Sequence, residues 1–296
     1  MTSFPSVPGM GAPGLGALVG PGSQPESFDG SKLDYMIMPS GMNTFSAAHV
    51  PEADDAAGHG PALAALGAML DALRHAEATG EGARIDLMGL APSDLTFVDQ
   101  LLGEGEVSVV AGGDAQAQES VLAGLWRVRV AGADGCRLAD YAEVGAFPQD
   151  LLAQAFAGAQ AHVDLPESAG PNIFNAPALV SEINEHVPHA REAGRGPHII
   201  NLSLLPHTEE DLAFLENVLG PGELIVLSRG YGNCRIRASG TRDTWWVRYY
   251  NSQDTLILNS IEISPIPEVA LAAPEDIADS VERLSEILDI YAPADA

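Results

Sequence analysis

Residues 84–110, RIDLMGLAPSDLTFVDQLLGEGEVSVV, return in altered form at residues 198–227, HIINLSLLPHTEEDLAFLENVLGPGELIVL. Gly103, Gly105 and Glu106 match Gly220, Gly222 and Glu223, 117 residues further on. Past this stretch the match continues at a spacing of 119, pairing Trp126 with Trp245, Val128 with Val247, Arg129 with Arg248, Glu143 with Glu262 and Pro148 with Pro267. Upstream, ALAALGAMLDALRHA from Ala62 resembles ALVSEINEHVPHA from Ala178. Self-similarity at a fixed spacing marks a repeated structural unit. The chain therefore reads as two copies of one unit, residues 58–165 and 166–296, the first of them degenerate.

Each unit reads helix, strand, helix, three strands, helix. In the second, Thr208 is placed to cap a helix with Asp211 at its third position, Leu212, Leu215 and Leu219 follow helical spacing, and Gly220 supplies a left-handed stop. ELIVL, CRIRA, TWWVRYY and LILNSIEIS are dense in β-branched and aromatic residues and separated by turn chemistry, as strands are. Pro274 opens a last helix with Ile277, Val281, Leu284, Leu288 and Tyr291 on one stripe. Helices covering one face of a small sheet give an α+β fold, two tandem α-β-α-β-β-β-α two-layer sandwiches. The repeated LGxGE suits a helix-to-strand corner; a phosphate loop runs from strand to helix, the opposite order.

Composition limits the rest. A chain of 296 residues, 46% hydrophobic, buries a substantial core, and its net charge of -27 opposes general affinity for nucleic acid or anionic membranes. Cys136 and Cys234 form no CxxC pair, which points to a reducing compartment, and no stretch has the length and hydropathy of an export signal or membrane span. Residues 1–33 are rich in Gly, Pro and Ser and read as a disordered tail; their formal GxGxxG at Gly9, Gly11 and Gly14 follows no strand and contains Pro13. Residues 34–57, with Met36, Met38 and Met42, read as an extended linker laid over the core, the alternative being a Met-rich docking segment.

Residues 228–252, SRGYGNCRIRASGTRDTWWVRYYNS, hold five arginines and one acid in this acidic chain. Where the second unit has RGYGNCRIR, the first has GGDAQAQES, so the frame does not require the motif. Strand alternation puts Cys234, Ile236 and Ala238 on one face with Trp245, Val247 and Tyr249, and Arg235, Arg237, Trp246, Arg248 and Tyr250 on the other. With the first set in the core, the second is an expected solvent-facing docking surface, since Arg, Trp and Tyr anchor interfaces. The competing expectations are a cationic face neutralised by the chain's own acidic helices, and a platform on which single-stranded nucleic acid stacks. Cys234 between arginines invites a reactive-thiol reading. His186 and His189 with Glu182 and Glu185 invite a metal reading, against which Pro188 interrupts the helix. No nucleophile elbow, P-loop or HExxH is present, so neither a catalytic residue nor a cofactor is expected.

The segments LLGEGEV, RGYGNCRI, TWWVRYYNS, LNSIEISPIPEVALAAPEDIADSVERLSEI and MPSGMNTF resemble the HupH/HyaF family of hydrogenase expression and formation proteins. The resemblance covers the second unit nearly end to end and the first more faintly. It implies a non-enzymatic cytoplasmic accessory protein for maturation of an uptake [NiFe] hydrogenase, binding a hydrogenase subunit precursor and other accessory proteins; charge and hydropathy add the expectation of no nucleic acid and no membrane insertion. Arg229, Tyr231, Asn233, Cys234, Arg235, Arg237, Trp246, Arg248 and Tyr250 are then the expected partner-binding residues.

Overall fold

The computed structural model describes residues 50–168, 170–230 and 232–292. The expectations for the tail, for residues 34–49 of the linker and for Tyr231 lie outside the described residues. Residues from Gly60 to Ala155 form α1 (Gly60–Thr79), β1 (Ala83–Asp86), α2 (Pro92–Leu102), β2 (Val107–Ala111), β3 (Ala115–Glu119), β4 (Leu125–Ala131), β5 (Arg137–Val144) and α3 (Gln149–Ala155). From Ala176 onward come α4 (Ala176–His186), β6 (His198–Asn201), α5 (Glu209–Leu219), β7 (Pro221–Ser228), β8 (Asn233–Ser239), β9 (Thr244–Tyr250), β10 (Leu256–Ile263) and α6 (Pro274–Tyr291). The fold is α+β. Four strands, not three, follow the second helix of each half. The extra strand, β5 or β10, lies between β4 and β1 or between β9 and β6, and without it the short first strand of each half has nothing to pair with.

All ten strands form one antiparallel sheet in the order β1-β5-β4-β3-β2-β7-β8-β9-β10-β6. The order reads the same from both ends when each strand is exchanged for its counterpart, so a local two-fold axis passes between β2 and β7. Val109 pairs with Val226, its own equivalent. The flanking hydrogen bonds obey the same symmetry: Arg229 N–H donates to the Glu106 carbonyl at 3.1 Å, and Gly112 N–H to the Glu223 carbonyl at 3.0 Å. The edge strand of each half is thereby consumed in the centre of the sheet, where it would otherwise be a row of unpaired donors and acceptors.

The glycines of LGxGE build the corner that delivers each of these strands. Gly103 and Gly220 have φ of 55° and 69°, in the left-handed region glycine tolerates. A Cβ at Gly105 would strike the Ser120 carbonyl and one at Gly222 the Ala238 carbonyl, so β2 and β7 can start beside their hairpin partners only without a side chain.

Both sheet faces are covered, so the two-layer expectation gives way to three layers. One face carries Val109, Trp126, Val128, Val226, Ile236, Trp245 and Val247 under α3, which lies across β2 and β7. The opposite face carries two separate clusters, one under α1, α2 and α6 and one under α4 and α5. The stripe of α6 was legible as Ile277, Val281, Leu284, Leu288 and Tyr291, but it packs on the first half, against α1. In exchange Val163, following α3, enters the core of the second half, where its N–H donates to Asn184 Oδ1 at 2.8 Å. Periodicity identifies the buried stripe; it carries no information about which half the stripe meets. Among the described residues no helix is long and apolar enough to cross a membrane.

The capping residues expected for α5 are in place, with Thr208 Oγ1 accepting from Asp211 N–H at 2.9 Å. Asp211 does more than cap its own helix. It is fully buried, and its carboxylate accepts N–H groups of Phe174, Asn175 and Ala176 at 2.8, 3.0 and 3.0 Å, tying α5 to the start of α4. In the first half Asp94 of α2 holds His59 at the start of α1, at 2.8 Å. Burial pushes the Asp211 pKa up, but the hydrogen bonds from Ala176, Thr208, Phe174 and Asn175 outweigh it and bring the group from 3.8 to about 2. A depressed carboxylate contributes stability above its unfolded pKa and loses it as pH falls toward the folded value. Asp211→Ala, which orphans buried donors, should cost about 3 kcal/mol at neutral pH. The deficit relative to the native chain, read from urea midpoints, should shrink as pH is lowered from about 5 toward 2.

Candidate functional site

The period-2 expectation for β8 and β9 holds: Cys234, Ile236, Ala238, Trp245, Val247 and Tyr249 pack in the cluster under α3. Arg235, Arg237, Trp246, Arg248 and Tyr250 share the other face, with Arg235 opposite Arg248 and Arg237 opposite Trp246. That face is not open to solvent. Trp246 is 1% exposed and packs with Ile183, Leu215 and Ile261 beneath α4 and α5, and Tyr250 is 7% exposed. Alternation assigns residues to faces, but α5, which precedes these strands in the chain, decides that the second face is covered. With Trp246 and Tyr250 buried, neither offers an open aromatic face for a base.

The arginines on this face are engaged by the protein's own carboxylates. Arg248 Nη2 lies 2.7 Å from Glu216 Oε1 of α5, and Arg237 Nη2 lies 3.6 Å from the same oxygen. Arg235 Nη2 meets Asp254 at 2.7 Å, and its guanidinium sits 4.2 Å from the centre of the Tyr250 ring. Arg248 likewise lies 4.9 Å from the centre of the Trp246 ring. The counter-ions Glu216 and Asp254 were not singled out from sequence. Glu216 was findable, because it stands 117 residues after Asp99, which holds Arg129, the equivalent of Arg248, at 2.7 Å in the first half.

The repeat thus works as an internal control. The helix-to-sheet pair Arg248–Glu216 recurs as Arg129–Asp99 and belongs to the frame. Arg235 and Arg237 occupy positions where the first half has Gln116 and Gln118, and are particular to the second. Trp246 stands where the first half has Arg127, whose Nε lies 2.6 Å from the buried Asp140. Arg229 begins the hairpin between β7 and β8. It is partly exposed and forms no salt bridge among the described residues, while Asn233 at the far end of the hairpin is exposed. A Cβ at Gly230 would strike the Glu106 carboxylate, so this hairpin is seated on the other half of the chain.

Cys234 is 1% exposed, and burial pushes its thiol up to about 12, more than the hydrogen bond with Tyr249 lowers it. It is a neutral thiol at ordinary pH, the opposite of an activated nucleophile. The histidines that invited a metal reading are engaged with one another and with glutamates. His186 stacks on His198 with ring centres 3.5 Å apart, His198 Nε2 meets Glu182 at 2.7 Å, and His189 meets Glu192 at 2.5 Å. Desolvation first, then His198 and Arg195, hold the His186 pKa below its ordinary value. Among the described residues no three His, Cys, Asp or Glu side chains are grouped to hold a metal ion.

Trp246→Ala empties a buried position and should cost about 3–5 kcal/mol. Arg237→Gln installs the residue used by the other half and leaves Arg248 on Glu216, so it should change stability by less than about 1 kcal/mol. Urea unfolding of the two variants would check both values.

Comparison with known proteins places this arrangement. The model for the HupH hydrogenase expression protein, C-terminal conserved region, matches twice, at residues 61–169 and 173–291, once for each half of the sheet. The chain is 44% identical over 272 residues to the hydrogenase expression/formation protein HupH of Rhodobacter capsulatus, covering 91% of this chain and 94% of that protein. It is 43% identical over 274 residues to HoxQ of Cupriavidus necator, named likewise a hydrogenase expression/formation protein, covering 92% and 95%. It is 35% identical over 288 residues to the hydrogenase-1 operon protein HyaF of Escherichia coli, covering 94% and 96%. The chain belongs to the HupH family of hydrogenase expression proteins.

Proposed function

We propose that this protein is a non-enzymatic accessory protein that holds a hydrogenase subunit precursor in the cytoplasm while a [NiFe] hydrogenase matures. The observation that carries this is the match along nine-tenths of both chains to proteins named for hydrogenase expression and formation. The side-chain chemistry is compatible: Cys234 is a buried neutral thiol, His186 stacks on His198, and His189 meets Glu192. On this reading the chain acts through differences between two tandem copies of one frame, residues 58–165 and 166–296.

The second copy is the binding one. Arg229 and Asn233 flank the hairpin turn, Arg235 and Arg237 add cations the other copy lacks, Cys234, Trp246, Arg248 and Tyr250 support them from within, and Tyr231 is assigned to the same contact. Glu216 and Asp254 hold these guanidinium groups at the partly exposed rim of the covered face, where a carboxylate of a partner exchanges with them. Such exchange favours a reversible hold on a client that must later be released.

The test is co-purification from cells expressing a hydrogenase operon. The native chain should recover a hydrogenase subunit precursor, and a chain with Arg229→Ala, Arg235→Gln and Arg237→Gln should recover about tenfold less while keeping its unfolding midpoint. Recovery of no precursor by the native chain overturns the proposed role; undiminished recovery by the triple variant overturns the assignment of the hairpin and strand arginines.

A further inference from the structure

One corner of the second half exposes four apolar side chains, two of them at positions where its counterpart has glycine. Phe174 is 69% exposed, Leu204 81%, Leu205 40% and Ile257 61%. The backbone gathers them. Asn175 Nδ2 donates to the Pro206 carbonyl at 2.6 Å and Thr208 Oγ1 to the Asn172 carbonyl at 2.7 Å, so Phe174 lies beside the turn that follows Leu205. Asn201 of the edge strand β6 pairs with Ser260 of β10, and Asn259 N–H donates to Ser203 Oγ at 2.8 Å, so the turn that bears Leu204 lies against the strand that bears Ile257.

The other half shows that folding demands neither Phe174 nor Leu204. Asn175 and His59 occupy the same place at the start of α4 and α1, so Phe174 answers to Gly58. Leu87 and Leu202, both fully buried, anchor the turns after β1 and β6, so Leu204 answers to Gly89. Glycine suffices at both positions in a half with the same strand order. Large apolar groups held in water without a folding role mark a contact surface.

The charge around them selects the partner. The stretches that build this corner, residues 170–190, 198–219 and 249–266, contain no lysine or arginine. Glu209 and Glu210 at the start of α5 stand exposed beside Phe174, Glu210 accepting from Asn172 Nδ2 at 3.0 Å. A second copy of this chain, with net charge -27, would be repelled.

We infer that the corner formed by Phe174, Leu204, Leu205 and Ile257 docks an apolar protein segment flanked by arginine or lysine. Resting on the proposed function, the segment belongs to the hydrogenase subunit precursor, and it is held at a place distinct from the arginines of β8. Apolar contact supplies the affinity, and the carboxylate rim at Glu209 and Glu210 excludes acidic segments and speeds the encounter.

Overlapping synthetic peptides tiling the precursor subunits should be titrated against the full chain by fluorescence anisotropy, beside pull-down of the whole precursor. The bound peptides should combine an apolar run with Arg or Lys. Phe174→Glu with Leu204→Glu should weaken them about tenfold or more, and Leu138→Glu, at the 62% exposed counterpart of Ile257, should leave them within about twofold. Unchanged unfolding midpoints of both variants keep the comparison valid. No bound peptide, binding of acidic peptides, or binding indifferent to the double variant overturns the inference. If the whole precursor fails to bind while cationic apolar peptides still bind at this corner, the proposed function falls and the surface stands.

Discussion

The antiparallel pairing of β2 with β7 is the contact on which the rest of the molecule depends. Val109 faces its own equivalent Val226, so each half satisfies the open edge of the other with an identical set of backbone groups. A two-fold contact of this kind is the geometry of a symmetric dimer, built here within a single chain. It turns two five-stranded sheets into one sheet of ten, and it centres the largest aromatic cluster, with Trp126 and Trp245, on the axis. The indole N–H groups of Trp126 and Trp245 both donate to carbonyls of the strand end that follows, Gly145 at 2.9 Å and Ser264 at 3.0 Å, so even their polar handles repeat.

Joining the halves through the sheet has a consequence for the helices. The two helix clusters on the far face never merge, and the chain links them by exchange: α6 closes the first half and the segment at Val163 closes the second. Tyr291 OH donates to the Pro51 carbonyl at 2.7 Å, bringing the end of the last helix against the first described turn. Neither half therefore completes its core alone, and a cut between them would expose both Ile277 with Leu284 and the cluster at Ile183.

Within this shared frame, departures from symmetry carry the functional argument. Retained pairs such as Arg129–Asp99 and Arg248–Glu216 tie a helix to the sheet in both halves. Replaced positions, Gln116 to Arg235, Gln118 to Arg237, Gly58 to Phe174 and Gly89 to Leu204, all add reach, charge or apolar surface to the second half. The first half spends its equivalent of Trp246 on a buried arginine, Arg127, bonded to Asp140 at 2.6 and 2.9 Å, which locks a core and leaves no group to offer.

Local physics made much of this legible from sequence alone. The repeat shows as self-similarity at a spacing of 117 to 119 residues, and the α+β class, the Thr208 and Asp211 capping pair, the Gly103 and Gly220 corners, the α6 stripe and the partition of β8 and β9 into two faces follow from neighbours a few residues apart. What the tertiary structure alone decided is what each face meets. Whether Trp246 is wet or buried depends on α5, whether Arg248 is free depends on Glu216, and whether α6 folds back on its own half depends on the apolar face that α1 offers it. These contacts join groups tens to more than a hundred residues apart; hydrophobic periodicity specifies that a surface must be buried and is silent on which of several complementary surfaces buries it.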